Sequence, residues 1–209
     1  MPVEQARNVF VLDIGQVLAD GGREYFTRRK GQFSFRDRAS LAIVYDDFVP
    51  LPGSIEGVGA LSKVATFGGY YTVRPPELKQ QGTNWLTRYN FPDAENIHTC
   101  VNHEDKVRQI INDLLLNEDG QNNRSVVLID DNLDPLLSAA EKLVDQDPPL
   151  KQATEKLILV GFGKKHQDMP QGGVHLATGI RTFSLSSWEN QNRDDLIGDL
   201  QMLYQSHSG

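Results

Sequence analysis

Carboxylate, hydroxyl and amine side chains stand at four places in this chain, three of them just past an apolar run. Asp13 and the Asp130-Asp131 pair each follow such a run, Thr72 ends another, and Lys106 lies near a predicted helix start. In an α/β sheet, ligands gather at the carboxyl ends of the strands. Three of the four places should therefore meet at one edge of a sheet, where their combined chemistry suits phosphoryl transfer.

Each of these residue types has a task in such a reaction. The Asp13 carboxylate can attack phosphorus and form an aspartyl-phosphate, which splits one difficult step into two. Thr72, beside the backbone N–H groups of a helix start, can bind a phosphate oxygen, and Lys106 can neutralise the phosphoryl charge. Asp130 and Asp131 offer the oxygen ligands that Mg²⁺ prefers. Taken singly, each residue is also explained as a turn residue, cap or solvated lysine, whereas the ordered combination favours a shared site.

The composition sets limits on partners and location. The 209 residues carry 21 Lys and Arg against 28 Asp and Glu, a formal net charge of −7. This balance argues against nucleic acid and against an anionic membrane surface as partners. No apolar run approaches the roughly 20 residues that span a bilayer. Cys100 is the only cysteine, so a disulfide framework or thiolate metal cluster is not expected. With no secretory signal pattern, we expect a cytoplasmic location.

Short apolar strands alternate with helical stretches along the whole chain, which favours a mostly parallel sheet covered by helices. We therefore expect one α/β domain over residues 1–209, a Rossmann-like three-layer α/β/α sandwich, with residues 18–50 as a small cap-like insert. Strands are predicted at 8–12, 64–71, 96–100, 125–129, 157–162 and 180–185, and helices at 54–61, 77–89, 103–116, 134–144 and from 186 towards 204.

Two further segments carry charge that the main site does not explain. Residues 23–38 are locally basic, with three Phe residues interleaved, a pattern that either binds nucleotides or packs a small amphipathic insert on the sheet. The packing explanation is favoured. A glycine-rich basic loop over residues 161–166 follows the fifth strand and could touch a substrate phosphate. Glycine-rich turns of this type are weak signals on their own.

Four motifs resemble those of the haloacid dehalogenase-like (HAD) superfamily, most of whose members are Mg²⁺-dependent phosphatases. They are Asp13-Ile14-Gly15-Gln16-Val17, Tyr71-Thr72-Val73-Arg74-Pro75, Lys106, and Leu128-Ile129-Asp130-Asp131-Asn132, with the last aspartate pair starting 24 residues after the lysine. The resemblance covers about residues 8–190 and implies a minimal cap. It also implies three residue sets: Asp13, Thr72 and Lys106 as catalytic; Gly15, Gln16, Thr72, Arg74 and Lys106 as substrate-binding; and Asp13, the Gly15 carbonyl, Asp130 and Asp131 as ligands of Mg²⁺.

Gly15 departs from that pattern. The usual phosphatase motif has a second aspartate there, which protonates the leaving group and then activates water. Glycine can do neither, and general acid–base catalysis is typically worth about 10²–10⁴-fold. Three explanations stay open: Asp20 or Glu24 substitutes, the leaving group needs little protonation, or the site only binds. A turn that requires positive φ would favour glycine there as well.

The sequence thus predicts a Mg²⁺-dependent phosphohydrolase that acts on a small phosphorylated metabolite through an aspartyl-phosphate at Asp13. The alternative is a catalytically impaired HAD-like protein that binds a phosphorylated ligand in a regulatory role. A weaker third hypothesis, action on nucleic-acid ends, depends on the basic aromatic stretch at residues 23–38.

Overall fold

A seven-stranded sheet with six α-helices makes up the part of the chain that the computed structural model describes, which is residues 8–19, 48–116, 124–147, 150–169 and 171–206. The strands are β1 (Val9–Leu12), β2 (Thr66–Thr72), β3 (Ile97–Thr99), β4 (Val126–Asp130), β5 (Leu157–Phe162), β6 (Gly173–Val174) and β7 (Arg181–Leu185). The helices are α1 (Ser54–Leu61), α2 (Lys79–Arg88), α3 (His103–Ile110), α4 (Leu133–Gln146), α5 (Lys151–Thr154) and α6 (Asn190–Ser206).

The order of the strands creates a crevice between β1 and β4. Across the sheet the order is β3-β2-β1-β4-β5-β7-β6, and all neighbours are parallel except β6 and β7. The chain therefore builds outward from β1 in one direction, then returns and builds outward from β4 in the other. Such a reversal leaves a crevice beyond the carboxyl ends of the two central strands, and ligands of open α/β sheets bind there.

Helices cover both faces of the sheet, which confirms the expected three-layer α/β/α Rossmann-like fold. On one face the sheet packs against α1, α2 and α6, and on the other against α3, α4 and α5. Side chains of β1 divide between the faces by alternation: Phe10 and Leu12 join the first core, Val9 and Val11 the second. Both faces are buried, and this explains why the central strands are continuous apolar runs.

Most element predictions are confirmed, with differences at the ends. Helix α1 and strand β5 begin and end where expected, and the strand predicted at 96–100 is β3, at the sheet edge. Two elements were missed: the one-turn helix α5 and the two-residue strand β6, both in stretches expected to be loops. Both are too short to produce a periodic signal.

The predicted insert falls largely outside the described residues. Residues 20–47 are not among the described residues. The candidate substitute acids Asp20 and Glu24 and the basic aromatic stretch 23–38 therefore also lie outside the described residues. Among the described residues, no helix combines the length and apolar character that crossing a membrane requires.

Candidate active site

Asp13 and Asp130 lie side by side at the carboxyl edge of the sheet. Leu12 of β1 is level with Ile129 of β4, and the backbone N–H of Asp13 donates to the Ile129 carbonyl over 3.0 Å. Asp13 directly follows Leu12, and Asp130 directly follows Ile129, so the two aspartates are also level with each other. They lie between β1 and β4, where the strand order reverses. Asp13 is 8% exposed and Asp130 is 1% exposed. Two carboxylates in so little solvent need a compensating charge.

Lys106 supplies that charge. Its ammonium Nζ donates to Asp13 Oδ1 over 2.8 Å and to Asp130 Oδ2 over 2.5 Å, and the side chain is fully buried. Helix α3 holds the lysine in its first turn, and that turn is fixed by the Asn102 side chain, which accepts from the Asp105 N–H over 2.9 Å. Lys106 lies near a helix start, as predicted. Its hydrogen bonds to both Asp13 and Asp130 could not be predicted from the spacing of these residues in the sequence.

The three charges of this cluster shift one another's pKa values. Burial works against the charged form of Lys106, but Asp13 and Asp130 together raise its pKa above the ordinary value. Burial also opposes ionisation of Asp130, yet Lys106 and the backbone N–H of Asn132, 2.7 Å from Oδ1, hold its pKa below the usual range. Asp13 has fewer such bonds, so burial and the nearby Asp130 raise its pKa. In this cluster the ionised form is thus favoured more strongly for Asp130 than for Asp13.

Asp131 stands beside this cluster with weaker compensation. Burial, followed by the charges of Asp130 and Asp13, raises its pKa to about 6. Lys165 Nζ lies 3.6 Å from its Oδ2, and the ring of His166 lies with Nε2 3.0 Å from its backbone oxygen. His166 reaches that position because Gly161 has no side chain, since a Cβ there would lie 2.7 Å from the ring. Lys165 and His166, in the basic loop after β5, therefore contact Asp131 directly.

A tight turn over residues 14–19 follows Asp13. The N–H of Leu18 donates to the Ile14 carbonyl over 3.2 Å, and Gln16 adopts a left-handed backbone with φ of 56°. The positive φ thus falls on Gln16 and not on Gly15, so the suggestion that a left-handed turn explains the glycine is wrong. Gln16 is exposed at the turn. A non-glycine residue in this conformation is uncommon and is found preferentially at functional sites.

What distinguishes Gly15 is the approach of Arg74. A Cβ built on Gly15 would lie 2.8 Å from Arg74 Nη2 and 3.5 Å from Asp13 Oδ2. The guanidinium also lies over the ring of Phe48, with Cζ 5.5 Å from the ring centroid. Any side chain at position 15 would thus contact the Arg74 guanidinium. This contact could not be read from the sequence, because Arg74 and Gly15 come from different strand ends.

Thr72 lies at the same carboxyl edge of the sheet, as the last residue of the neighbouring strand β2. A bulge at Gly69, whose φ is 114°, shifts the register so that Tyr70 is level with Leu12. Thr72 therefore lies one step beyond the level of Asp13. It is 3% exposed and lines a small cleft together with Ile14, Arg74, Pro75, Leu78, Lys79, Gly82, Ile97 and Thr99.

The donor chemistry of the site fits Mg²⁺, but the oxygens do not form a closed ligand set. Asp13, Asp130 and Asp131 carry three carboxylates close to Lys106, and the pKa of Asp131 is raised first by burial and then by the charges of the other two acids. A divalent cation would offset that charge. Within the described ranges, however, no group of three acidic, His or Cys side chains has metal-holding geometry. The Lys106 ammonium instead stands between two of the carboxylates.

A cavity of about 290 Å³ lies away from this cluster, beside β7 and α6. Its walls are polar and include two acids, Asp195 and Asp199, and its lining contains no Lys or Arg. Phosphate requires cations or aligned N–H donors, so this cavity is a poor match for a phosphorylated ligand, although it is more spacious than the cleft beside Thr72.

Several other polar and aromatic side chains lie outside the cluster. Asp134, four residues after Asp130, is exposed in the first turn of α4. His98 stacks on Tyr71 with ring centroids 4.2 Å apart and lies 3.6 Å from Asp113, a structural arrangement. Trp85 and Trp188 are buried, and their indole N–H groups donate to the backbone carbonyls of Phe48 and Val17.

No protein-family model matches this chain, and no curated protein matches it. The resemblance to the HAD superfamily therefore stays a prediction from its four motifs.

Proposed function

We propose that this protein is a Mg²⁺-dependent phosphohydrolase that acts on a small phosphorylated metabolite, with Asp13 as the nucleophile. The observation that carries the proposal is the buried Asp13–Lys106–Asp130 cluster at the crevice between β1 and β4. A salt bridge this deeply buried is expensive to form and weak evidence of a stabilising role. At the one place in the sheet where ligands are expected, it is better explained by chemistry than by stability.

The side chains divide the work as follows. Asp13 attacks phosphorus through a carboxylate oxygen, and the Lys106 ammonium, 2.8 Å from Asp13 Oδ1, neutralises the incoming phosphoryl oxygens. Thr72, which lines the adjoining cleft, binds the rest of the phosphoryl group, and Arg74 of the same cleft binds the remainder of the substrate. Asp13, Asp130, Asp131 and the Gly15 carbonyl would hold Mg²⁺. When bound, the metal would supply the positive charge that the transferring group needs.

The substrate is proposed to be small because the charge of the chain disfavours a polyanionic partner. A net charge of −7 repels nucleic acid over distances of about a Debye length. A single phosphate can still bind, since Lys106, Arg74 and Lys165 are close to the acidic cluster. Nucleic-acid ends are therefore the weaker substrate hypothesis.

One observation favours a second candidate, a phosphate-binding protein with an impaired phosphatase site. Position 15 has no acid, and the nearest group to its missing side chain is the Arg74 guanidinium. Arginine stays protonated at all ordinary pH values and cannot shuttle a proton. In this alternative, Asp13 and its neighbours bind a phosphorylated ligand without turning it over.

The test compares hydrolysis of p-nitrophenyl phosphate and of sugar and nucleotide phosphates, with Mg²⁺ or EDTA, by the native chain and by Asp13→Asn. Asp145→Asn, on the exposed end of α4, is the matched control and should leave turnover unchanged. The proposal expects a loss of at least about 10³-fold in Asp13→Asn, since removal of a nucleophile is among the most damaging single changes. Mg²⁺-dependent phosphate binding without turnover by the native chain would support the second candidate instead.

A further inference from the structure

The contact between Gly15 and Arg74 bears on which phosphates the site can cleave. A Cβ on Gly15 would lie 2.8 Å from Arg74 Nη2 and 3.6 Å from its Cζ. The two residues come from the ends of β1 and β2, neighbours in the sheet. A permanent cation therefore occupies the side of Asp13 where a proton-transferring group would otherwise act. Where the phosphatase motif has a proton donor, this site has a fixed positive charge.

Several features hold the Arg74 guanidinium in that place. The Phe48 ring lies beneath it at 5.5 Å, a cation–π distance. Pro75 and Pro76 follow it at the start of a 3₁₀ turn, and their fixed φ angles stiffen the segment that carries the arginine. The side chain is half-buried and lines the cleft beside Thr72. The guanidinium is thus positioned by its surroundings.

The two oxygens of Asp13 face different partners. Oδ1 accepts from Lys106 over 2.8 Å, while Oδ2 lies 3.5 Å from the Cβ position of Gly15 and so faces the Arg74 side. If Oδ2 attacks phosphorus, the phosphoryl group lies between Asp13 and the space in front of Gly15. The leaving group then departs towards that space, since attack and departure are in line. Arg74 is the cation next to it.

We propose that the site cleaves phosphates whose leaving group departs as a stable anion, namely acyl phosphates or phosphoric anhydrides, and that Arg74 stabilises the charge on the departing oxygen. This inference rests on the proposed function of the site. A carboxylate or phosphate needs no proton to leave, so for these substrates the missing acid at position 15 costs little in the first step, the one in which the leaving group departs. An alkoxide, by contrast, is a poor leaving group without a proton, and a fixed cation only partly replaces one.

The reaction balances without any further reactant. In the first step, an Asp13 oxygen forms a bond to phosphorus while the bond from phosphorus to the leaving oxygen breaks, and that oxygen keeps the electron pair as a carboxylate or phosphate. In the second step, water attacks the aspartyl-phosphate, the bond from phosphorus to the Asp13 oxygen breaks, and the carboxylate is restored. Inorganic phosphate is released and one proton passes to solvent.

The test measures kcat/KM with Mg²⁺ for acetyl phosphate, a nucleoside diphosphate and glycerol phosphate, after subtraction of uncatalysed hydrolysis. Acetyl phosphate tests a carboxylate leaving group, the diphosphate a phosphate, and glycerol phosphate an alkoxide. We expect one or both anionic leaving groups to exceed glycerol phosphate by at least about 100-fold, the lower range of what a missing general acid is worth. Whichever of the two is turned over identifies the class.

The variants are Arg74→Met, Arg74→Lys and, as a matched control, Arg88→Met at the exposed end of α2. Arg74→Met should lower kcat/KM for the preferred substrate by about 10²-fold, the loss typical for removal of one charge-stabilising donor. Arg74→Lys should recover part of it, and Arg88→Met should have no effect. Competitive inhibition by inorganic phosphate, which occupies only the phosphoryl position, should change by less than about 3-fold in Arg74→Met.

The outcomes separate this inference from the proposed function. Asp13-dependent turnover with equal rates on glycerol phosphate, or an Arg74→Met loss matched by an equal loss of phosphate inhibition, would overturn the leaving-group role and leave the phosphohydrolase intact. No Asp13-dependent turnover of any of the three substrates would overturn both. A general folding defect in Arg74→Met would weaken phosphate inhibition as well, so inhibition is the readout that separates it from a local effect.

Discussion

Replacement of Lys106 by Met tests whether the buried cluster is what the distances indicate. Methionine keeps the unbranched shape and fills the same space, while the ammonium is lost. Asp13 and Asp130 would then face each other in the protein interior without the cation that bonds to them at 2.8 and 2.5 Å. Removal of one partner from a buried ion pair typically destabilises a protein by about 3–5 kcal/mol, because it leaves uncompensated charge. For a chain of this size we expect Tm to fall by about 6–20 °C.

The assay is urea denaturation at pH 7.5 in EDTA, with Lys63→Met as the control because Lys63 is exposed. The control should stay within about 0.5 kcal/mol of the native chain. In Lys106→Met, both carboxylates lose their cation, so the pKa of Asp13, already raised, rises further and the pKa of Asp130 rises above its unfolded value. Stability is then present at low pH and is lost as pH rises through those raised values. The deficit of Lys106→Met should therefore shrink from pH 7.5 to pH 5.

A second change sharpens the test. Adding Asp130→Asn to Lys106→Met removes one of the two uncompensated charges and should restore roughly half of the lost free energy of unfolding. A Lys106→Met chain within about 1 kcal/mol of native, or a deficit that does not change with pH, would refute the reasoning. Either result would mean that water reaches the cluster and that the lysine does not compensate the two acids.

Three further predictions use other features. Gly57→Ala should destabilise the chain by about 1–3 kcal/mol, because its Cβ would lie 2.2 Å from the Trp188 ring, whereas Gly59→Ala in the same helix meets nothing within 4 Å and should stabilise it by about 0.5–1 kcal/mol in chemical denaturation. Asp131→Asn in EDTA should match native stability near pH 4 and exceed it by roughly 1–2 kcal/mol at pH 7, since the pKa of about 6 makes ionisation of Asp131 unfavourable in the fold. The Cys100 thiol, with a pKa raised to about 12 mainly by burial, should react with iodoacetamide at pH 8 at least about 100-fold more slowly in the folded than in the urea-unfolded chain.

The elements were predictable because each is determined by local signals. The run from Val126 to Ile129 is buried on both faces and reads directly as a central strand. Helix α1 follows the break at 50–53 and ends at Leu61 as expected. Ser54 is a residue type that commonly caps a helix N-terminus, but it is the first residue of α1, and its hydroxyl is buried without a partner. The N-cap is Gly53, whose backbone is left-handed with φ of 77°, and a pattern of apolar residues does not contain that information.

The candidate site was only half predictable, for a reason that lies in the topology. Asp13, Thr72 and Asp130 lie at the carboxyl ends of strands, so a parallel sheet must bring them to one edge whatever the order of the strands. Which of them become neighbours depends on that order, and no local signal contains it. Likewise, the contact of Arg74 with Gly15 and the bond of His166 to the backbone of Asp131 depend on loops from separate strands.

The charge arrangement of the cluster also links the two proposed ligands of the site. Lys106 has one ammonium, and both Asp13 and Asp130 already bind it. A phosphate that approaches Lys106 must compete with two carboxylates for its N–H groups and is repelled by both of them. A cation bound to the carboxylates removes that competition, and a phosphate bound to Lys106 in turn removes the ammonium's hold on the carboxylates. Each ligand should therefore strengthen binding of the other by the same factor, as linkage requires. On this argument the closed ion cluster is the resting form of the site, and neither Mg²⁺ nor phosphate alone is expected to open it as well as the two together.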